Sequence, residues 1–231
     1  MLERWKQKLA SKDCDRSSGR ELSQRSFDIE TRSFQIIDAE IISHDYNELE
    51  WSIVRRVIHA TADFDFAKEG RIVFHKDAIQ SAFDAFKMKS PIITDVDMVL
   101  SAINKKLVKN LGLETICHIS DSTLVLEAQK HNKTRSEMAM HKGVDKMQNG
   151  IIAIGNAPTA LYEAIKMVRD GLVKPSLLIG VPVGFVSAPE SKQELAKTNI
   201  PFITNIGRKG GSSVASSIVN ALMLLYTCQN K

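Results

Sequence analysis

Apolar positions in this chain change their spacing at about residue 70. Within residues 27–43, Ile29, Phe34, Ile37 and Ile41 recur at the spacing of one helical face. Residues 48–61, ELEWSIVRRVIHAT, repeat that pattern, with Leu49, Ile53 and Val57 reinforced by Val54 and Ile58. The folded part is therefore expected to open with helices. From residue 71 onward the apolar residues come in short runs rich in isoleucine and valine, separated by helix-like stretches, which is the pattern of alternating strands and helices.

The run IVF leads into HKDAIQSAFDAFK, read as a helix, and PIITD (91–95) reads as a strand ending in a carboxylate. ETICHIS (114–120) is the next strand-like run, followed by a long helical stretch with an expected break at residues 131–134. Residues 151–154 form a strand that stops at Gly155. Asn156 is placed as the helix N-cap, and Pro158 sits where an early-helix proline is tolerated. The strand–turn–helix pattern then recurs twice, at 176–181 with a helix starting near Ser187 or Ser191, and at 201–206 with a helix after the glycines at 210 and 211. Closely spaced β-branched strands with helical crossovers predict a parallel sheet covered on both faces. Ligands of such sheets sit beyond the carboxyl ends of the strands, where Asp95, Ser120, Asn156, Gly184 and the 207–212 loop are expected to gather. No solenoid repeat and no low-complexity linker is present, so residues 27–231 are read as one domain. Residues 1–26 form a polar, marginally ordered extension.

Composition removes several classes of function. The 31 basic residues are offset by 27 acidic ones and spread along the chain, and aromatics make up only 6% of it. A nucleic-acid surface calls instead for clustered basic residues with stacking aromatics. The N-terminus lacks the apolar core of a signal peptide, and the later apolar runs are too interrupted for a membrane span. Cys14, Cys117 and Cys228 form no CxxC pair, so neither a disulfide framework nor a zinc site is indicated, and a reducing cytosol fits best.

The candidate chemistry is scattered. Residues 207–213, GRKGGSS, precede an apolar helix and suit backbone N–H contacts to an anion beside Arg208 and Lys209, although they do not match the nucleotide-binding G-x-x-x-x-G-K-[ST] pattern. GNAP at 155–158 lacks the GxGxxG spacing. PVGF at 182–185 suits either a pocket wall or a simple turn. Of six histidines none has HxxxH or HxH spacing, which leaves no locally assembled metal site. His59 stands out because it ends a helix, follows Arg55 and Arg56, and precedes Asp63 and Asp65, so that a carboxylate is available nearby to orient its imidazole; from these residues alone it equally reads as a buried or surface histidine without chemistry. Histidine is also the side chain that ordinarily exchanges a proton near neutrality. His118 reads as a core residue, Cys117 has no local base, and no G-x-S-x-G elbow occurs. Arg32-Ser33, Thr134-Arg135-Ser136 and Glu190-Ser191-Lys192 suit carboxylate recognition, and each equally suits a solvated surface.

Seven segments, in order, resemble the precorrin-8X methylmutase family: RSFQIIDAE (32–40), RRVIHAT with ADFDF (55–66), PIITDVDM (91–98), KTRSEMA (133–139), GIIAIGNAPTAL (150–161), IGVPVGFVSAPESK (179–192) and PFITNIGRKGGSSVA (201–215). The resemblance implies a three-layer α/β/α, flavodoxin-like fold with a mostly parallel sheet, in a cytoplasmic homo-oligomer, usually a dimer. It implies an isomerase of cobalamin biosynthesis that moves a methyl group from C-11 to C-12 of precorrin-8X or its cobalt form, with no separate cofactor and no metal ligand set. By resemblance His59 is the catalytic residue, and Ser33, Arg135, Gly184, Lys192, Arg208, Gly210 and Gly211 bind a carboxylate-rich corrinoid. No nucleic acid and no membrane is implied. Whether the substrate carries cobalt stays open. A non-catalytic corrinoid carrier is the alternative of another class, and a phosphate or nucleotide binder using residues 207–213 a weaker one.

Overall fold

The computed structural model describes residues 24–230. The expected polar extension lies outside the described residues as far as residue 23, while residues 24–26 already open the first helix, α1 (Gln24–Glu40). Helix α2 (Glu48–Thr61) starts at a capping box: Asn47 Oδ1 accepts from the N–H groups of Leu49 and Glu50, and Glu50 accepts from the N–H of Asn47. These bonds satisfy donors that no turn of the helix itself reaches. Ala62 ends the helix in the left-handed conformation (φ 53°), and a 3-10 turn, Phe64–Ala67, follows.

Six strands form one sheet: β1 (Ile72–Phe74), β2 (Ile92–Thr94), β3 (Thr115–Cys117), β4 (Ile151–Ile154), β5 (Leu177–Gly180) and β6 (Phe202–Asn205). Their order across the sheet is β1-β6-β5-β4-β2-β3. Strand β1 pairs antiparallel with β6, and every other pair is parallel. The sheet is therefore mostly parallel, as the pattern predicted. Strands after β2 grow outward on the opposite side from β3, so the chain order reverses between β2 and β4, and open α/β sheets place their ligands at such a reversal.

The helices that connect these strands are α3 (Ala78–Lys87), α4 (Asp97–Ala102), α5 (Lys105–Leu111), α6 (Leu124–His131), α7 (Arg135–Lys142), α8 (Val144–Met147), α9 (Pro158–Arg169), α10 (Ala188–Ala196) and α11 (Ser212–Gln229). Period-two alternation along the strands divides the core. Ile92, Ile151, Ala153, Leu177, Ile179 and Ile203 join residues of α2, α3 and α11 on one face. Ile93, Ile152, Ile154, Leu178 and Phe202 join α9 and Leu195 of α10 on the other. Burial on both faces explains why the strands read as unbroken apolar runs.

The pattern left residues 96–113 unassigned, and α4 and α5 lie there. Both are short, and α5 draws on partners far along the chain: Asn104 caps it, while Asn220 of α11 accepts from the Asn104 N–H at 2.8 Å and donates to the Ala102 carbonyl at 3.0 Å. Cys117 is free. Among the described residues no helix is long and apolar enough to cross a membrane.

Candidate functional site

At the reversal point Asp95, immediately after β2, is fully buried. Its carboxylate accepts from the N–H groups of Gly155 (3.1 Å), Asn156 (2.8 Å) and Ala157 (2.8 Å). Burial pushes the carboxyl above its usual range, while those three bonds pull the other way. The N-cap of α9 is Ala157, not Asn156 as expected, and its own side chain makes no cap bond. Asp95 supplies from the neighbouring strand what a local cap would have supplied, leaving the Asn156 side chain exposed. Gly155 packs so closely that a Cβ there would come within 2.9 Å of the Gly211 carbonyl oxygen, so β4 ends directly against the glycine loop.

The glycine loop and PVGF form one unit. Gly184 N–H donates to the Arg208 carbonyl at 3.1 Å, and Gly211 N–H donates to the Val181 carbonyl at 2.9 Å. Gly210 has φ 151°, and a Cβ on it would meet the Val181 oxygen at 2.2 Å, so a side chain is excluded. Outside this unit the Arg208 guanidinium stands 5.5 Å from the centroid of the Phe185 ring. Phe185 and Val186 are 82% and 81% exposed. The structure thus brings Gly184, Arg208, Gly210 and Gly211 together beside an apolar wall. That combination suits a flat ligand carrying anionic groups.

Glu190-Ser191-Lys192 was expected to be surface material at least as readily as a binding triplet. Ser191 and Lys192 are buried instead, at 0% and 2% exposure. Lys192 Nζ donates to the Lys209 carbonyl at 2.6 Å and to Asn205 Oδ1 at 3.2 Å, and burial pushes its ammonium down to about 8 from 10.5. Because the folded value is depressed, this group's contribution to stability is full above pH 10.5 and is lost as pH falls through about 8. We expect the wild type, relative to Lys192→Met, to be more stable at pH 10 than at pH 7.5 by about 2 kcal/mol, measured by urea unfolding of both proteins. No such pH dependence would mean the ammonium is hydrated.

His59 lies exposed in the last turn of α2, with its ring 5.1 Å from that of Phe34 in α1. The expectation that Asp63 or Asp65 orients it is replaced by another arrangement. Both carboxylates bind Lys209 Nζ, at 2.7 and 2.5 Å. Burial alone would raise the Asp63 carboxyl, but the hydrogen bond and charge of Lys209 hold it below its usual range. The consequence is positional: Lys209 ties the segment just after His59 to the glycine loop. Arg55 and Arg56 are likewise engaged, with Asp38 at 2.8 Å and Glu30 at 3.1 Å, and both lie over the Phe34 ring. Ser33 neighbours Phe34 on α1, with its hydroxyl donating to the Ile29 carbonyl of its own helix at 2.8 Å and not to any loop residue.

Arg135 is exposed at the start of α7, and the expected break before it is real: Asn132 has φ 51°, and Thr134 caps α7 in a capping box with Glu137. Thr134 Oγ1 lies 3.0 Å from Thr159 Oγ1 in the first turn of α9, which carries Arg135 to the GNAPT edge. A buried carboxylate anchors the segment from below, since Glu163 Oε1 meets Lys133 Nζ and His141 Nε2, each at 2.7 Å. Sequence reasoning missed Asn205, Glu163 and the Lys209 pairing with Asp63 and Asp65. The polar ending of β6 was a signal for the first of these; the other two depend on contacts distant in sequence. Among the described residues no group of three His, Cys, Asp or Glu side chains is placed to hold a metal ion.

A glycine loop with Arg208 over the carboxyl edge of an open α/β sheet, with a histidine at the end of a helix that packs on α11, is the arrangement of a candidate ligand site. The sequence profile of the family described as precorrin-8X methylmutase matches residues 28–225. A cobalt-precorrin-8 methylmutase of Priestia megaterium is 46% identical over 85% of this chain and 87% of its own length. A precorrin-8X methylmutase of Sinorhizobium sp is 36% identical over 83% and 90%. The solved structure of the Thermus thermophilus precorrin-8X methyl mutase superposes with a TM-score of 0.80 at 33% identity, covering 86% of this chain and 95% of that one. The chain belongs to the precorrin-8X methylmutase family, and it is an enzyme.

Proposed function

We propose that this chain is an intramolecular isomerase of cobalamin biosynthesis that moves the methyl group of precorrin-8X, or of its cobalt form, from C-11 to C-12, giving hydrogenobyrinate or cobyrinate. The observation that carries the reading is family membership across residues 28–225. Higher identity to the Priestia megaterium relative, which by name acts on cobalt-precorrin-8, favours the cobalt-containing substrate. Cobalt enters here as part of the substrate, with no resident metal or separate cofactor in the enzyme.

The reaction is a 1,5-sigmatropic shift in which the bond from methyl to C-11 breaks as the bond to C-12 forms. The methyl group never leaves as an ion, so neither a methyl donor nor a strong nucleophile is required. What the protein supplies is a fixed ring orientation and a proton or hydrogen bond where charge redistributes. His59 has that second role: it stands exposed at the end of α2 and donates to the rearranging pyrrole-derived unit. Ser33, Arg135, Arg208 and the Gly210 N–H take the carboxylates of the macrocycle, Gly184 and Gly211 line the same pocket with their own N–H groups held inside the loop, and Lys192 serves the donor group from beneath. Phe185 and Val186 present apolar surface to the flat ring.

The order of the five parallel strands, β3-β2-β4-β5-β6, supports a flavodoxin-like assignment. Residues 27–231 are read as a single methylmutase domain, working as a cytoplasmic homodimer. Anaerobic incubation of the purified protein with matched cobalt-containing and cobalt-free substrates tests the reaction, with methyl position followed by NMR and the chromophore by absorbance. Migration to C-12 is expected, faster with cobalt. Tight binding of both substrates without migration would make the chain a carrier.

A further inference from the structure

We infer that Lys192 and Asn205 are positioning residues that clamp the Lys209 carbonyl and thereby aim the Gly210 N–H outward as a donor to a carboxylate of the ligand. The inference deepens the methylmutase reading and rests on it for the identity of that ligand.

The Lys209 carbonyl oxygen accepts from Lys192 Nζ at 2.6 Å and from Asn205 Nδ2 at 2.9 Å, so both its lone pairs are occupied. The donors lie inside the protein, at 2% and 1% exposure. They also brace each other, because Asn205 Oδ1 accepts from Lys192 Nζ at 3.2 Å. A trans peptide is planar, with its C=O and N–H pointing in opposite directions. Drawing the Lys209 carbonyl inward therefore turns the Gly210 N–H outward. Among the described residues that N–H has no hydrogen-bond partner, whereas the next amide, of Gly211, is turned in to the Val181 carbonyl. One donor is spent on the fold, and its neighbour is left for a ligand.

The chemistry of the clamp supports the same reading. Among the described residues both acceptors of the Lys192 ammonium are neutral amide oxygens, while Asp63 and Asp65 pair with the Lys209 ammonium. A buried cation without a counterion is costly, and here its position polarises the Lys209–Gly210 peptide, strengthening the Gly210 N–H as a donor. The loop is thus held at residue 209 twice, through its side chain to Asp63 and Asp65 and through its carbonyl to Lys192 and Asn205. Gly210 completes the device, since any side chain there would strike the Val181 oxygen.

Two measurements test the clamp. In nitrogen-15-labelled wild type the Gly210 amide proton is expected to move downfield and gain protection from exchange when cobyrinate binds, while Gly211 is protected already in the free protein. This measurement needs no variant. In the second, Lys192→Met and Asn205→Ala each weaken cobyrinate binding about ten-fold, and the double variant is no weaker than the worse single one by more than about two-fold, because both act through one carbonyl. Lys192→Arg, which keeps the charge and a donor, recovers part of the loss. A Gly210 amide indifferent to the ligand, or single effects that multiply in the double variant, overturns the clamp. A wild type that converts substrate while its variants multiply leaves the methylmutase reading standing and removes the clamp alone. A wild type that neither binds nor converts a corrinoid removes both.

Discussion

His59→Ala lowers the rate of methyl migration by about 10²- to 10⁴-fold, the range that removing a positioned proton donor produces, while cobyrinate affinity stays within a few-fold of wild type. The separation follows from where the residue sits. His59 is exposed in the last turn of α2, and its ring contact is with Phe34. The charges around it are satisfied among themselves: Arg55 with Asp38, Arg56 with Glu30, and Asp63 and Asp65 with Lys209. Truncation therefore leaves no stranded ion, and a stability change of no more than about 0.5 kcal/mol is expected. Single-turnover kinetics under anaerobic conditions, paired with a product-binding titration, read the two quantities apart. Parallel losses in binding and turnover would mean that His59 holds the macrocycle without serving the rearrangement.

Asp95→Ala is expected to cost about 3 kcal/mol of folding stability or more, through the opposite logic. The carboxylate sits at 0% exposure between β2 and β4, with the N–H groups of Gly155, Asn156 and Ala157 directed at it. Alanine leaves those donors facing a dry gap, in a turn with no cap side chain of its own. Melting should fall by roughly 10 °C for a domain of this size. Asp95→Asn, which keeps the volume and one acceptor oxygen, should lose less. A loss below about 1 kcal/mol for alanine would mean that water takes the carboxylate's place. Because the same turn abuts Gly211, the surviving folded fraction should also bind product more weakly.

Local pattern made much of the scaffold legible. The strands at 72–74 and 151–154, the helix at 48–61 and the break before Thr134 all stand where spacing and turn residues put them. Each is encoded by residues adjacent to it: period-two burial in a strand, one apolar face on a helix, a threonine three positions before a glutamate at a helix start. Helices α4 and α5 escaped because they are short and lean on Asn220, more than a hundred positions away. Motif resemblance named His59, Ser33, Arg135 and the glycine loop, yet said nothing about how they are held.

By itself, then, the sequence determined the order of the strands and of most helices along the chain, the mostly parallel sheet and the family. Strand and helix signals are local, and the glycine and arginine motifs are specific enough to survive without coordinates. Only the tertiary structure decided that β1 runs antiparallel to β6, that Asp95 caps a helix on another strand's connection, and that Lys192 is buried under the loop. It also decided that Lys209 joins Asp63 across 146 positions. The physical reason is common to all four: the energy of a buried carboxylate, a buried ammonium or an edge pairing depends on which groups surround it in space. Those neighbours come together only when the sheet order has closed the chain on itself.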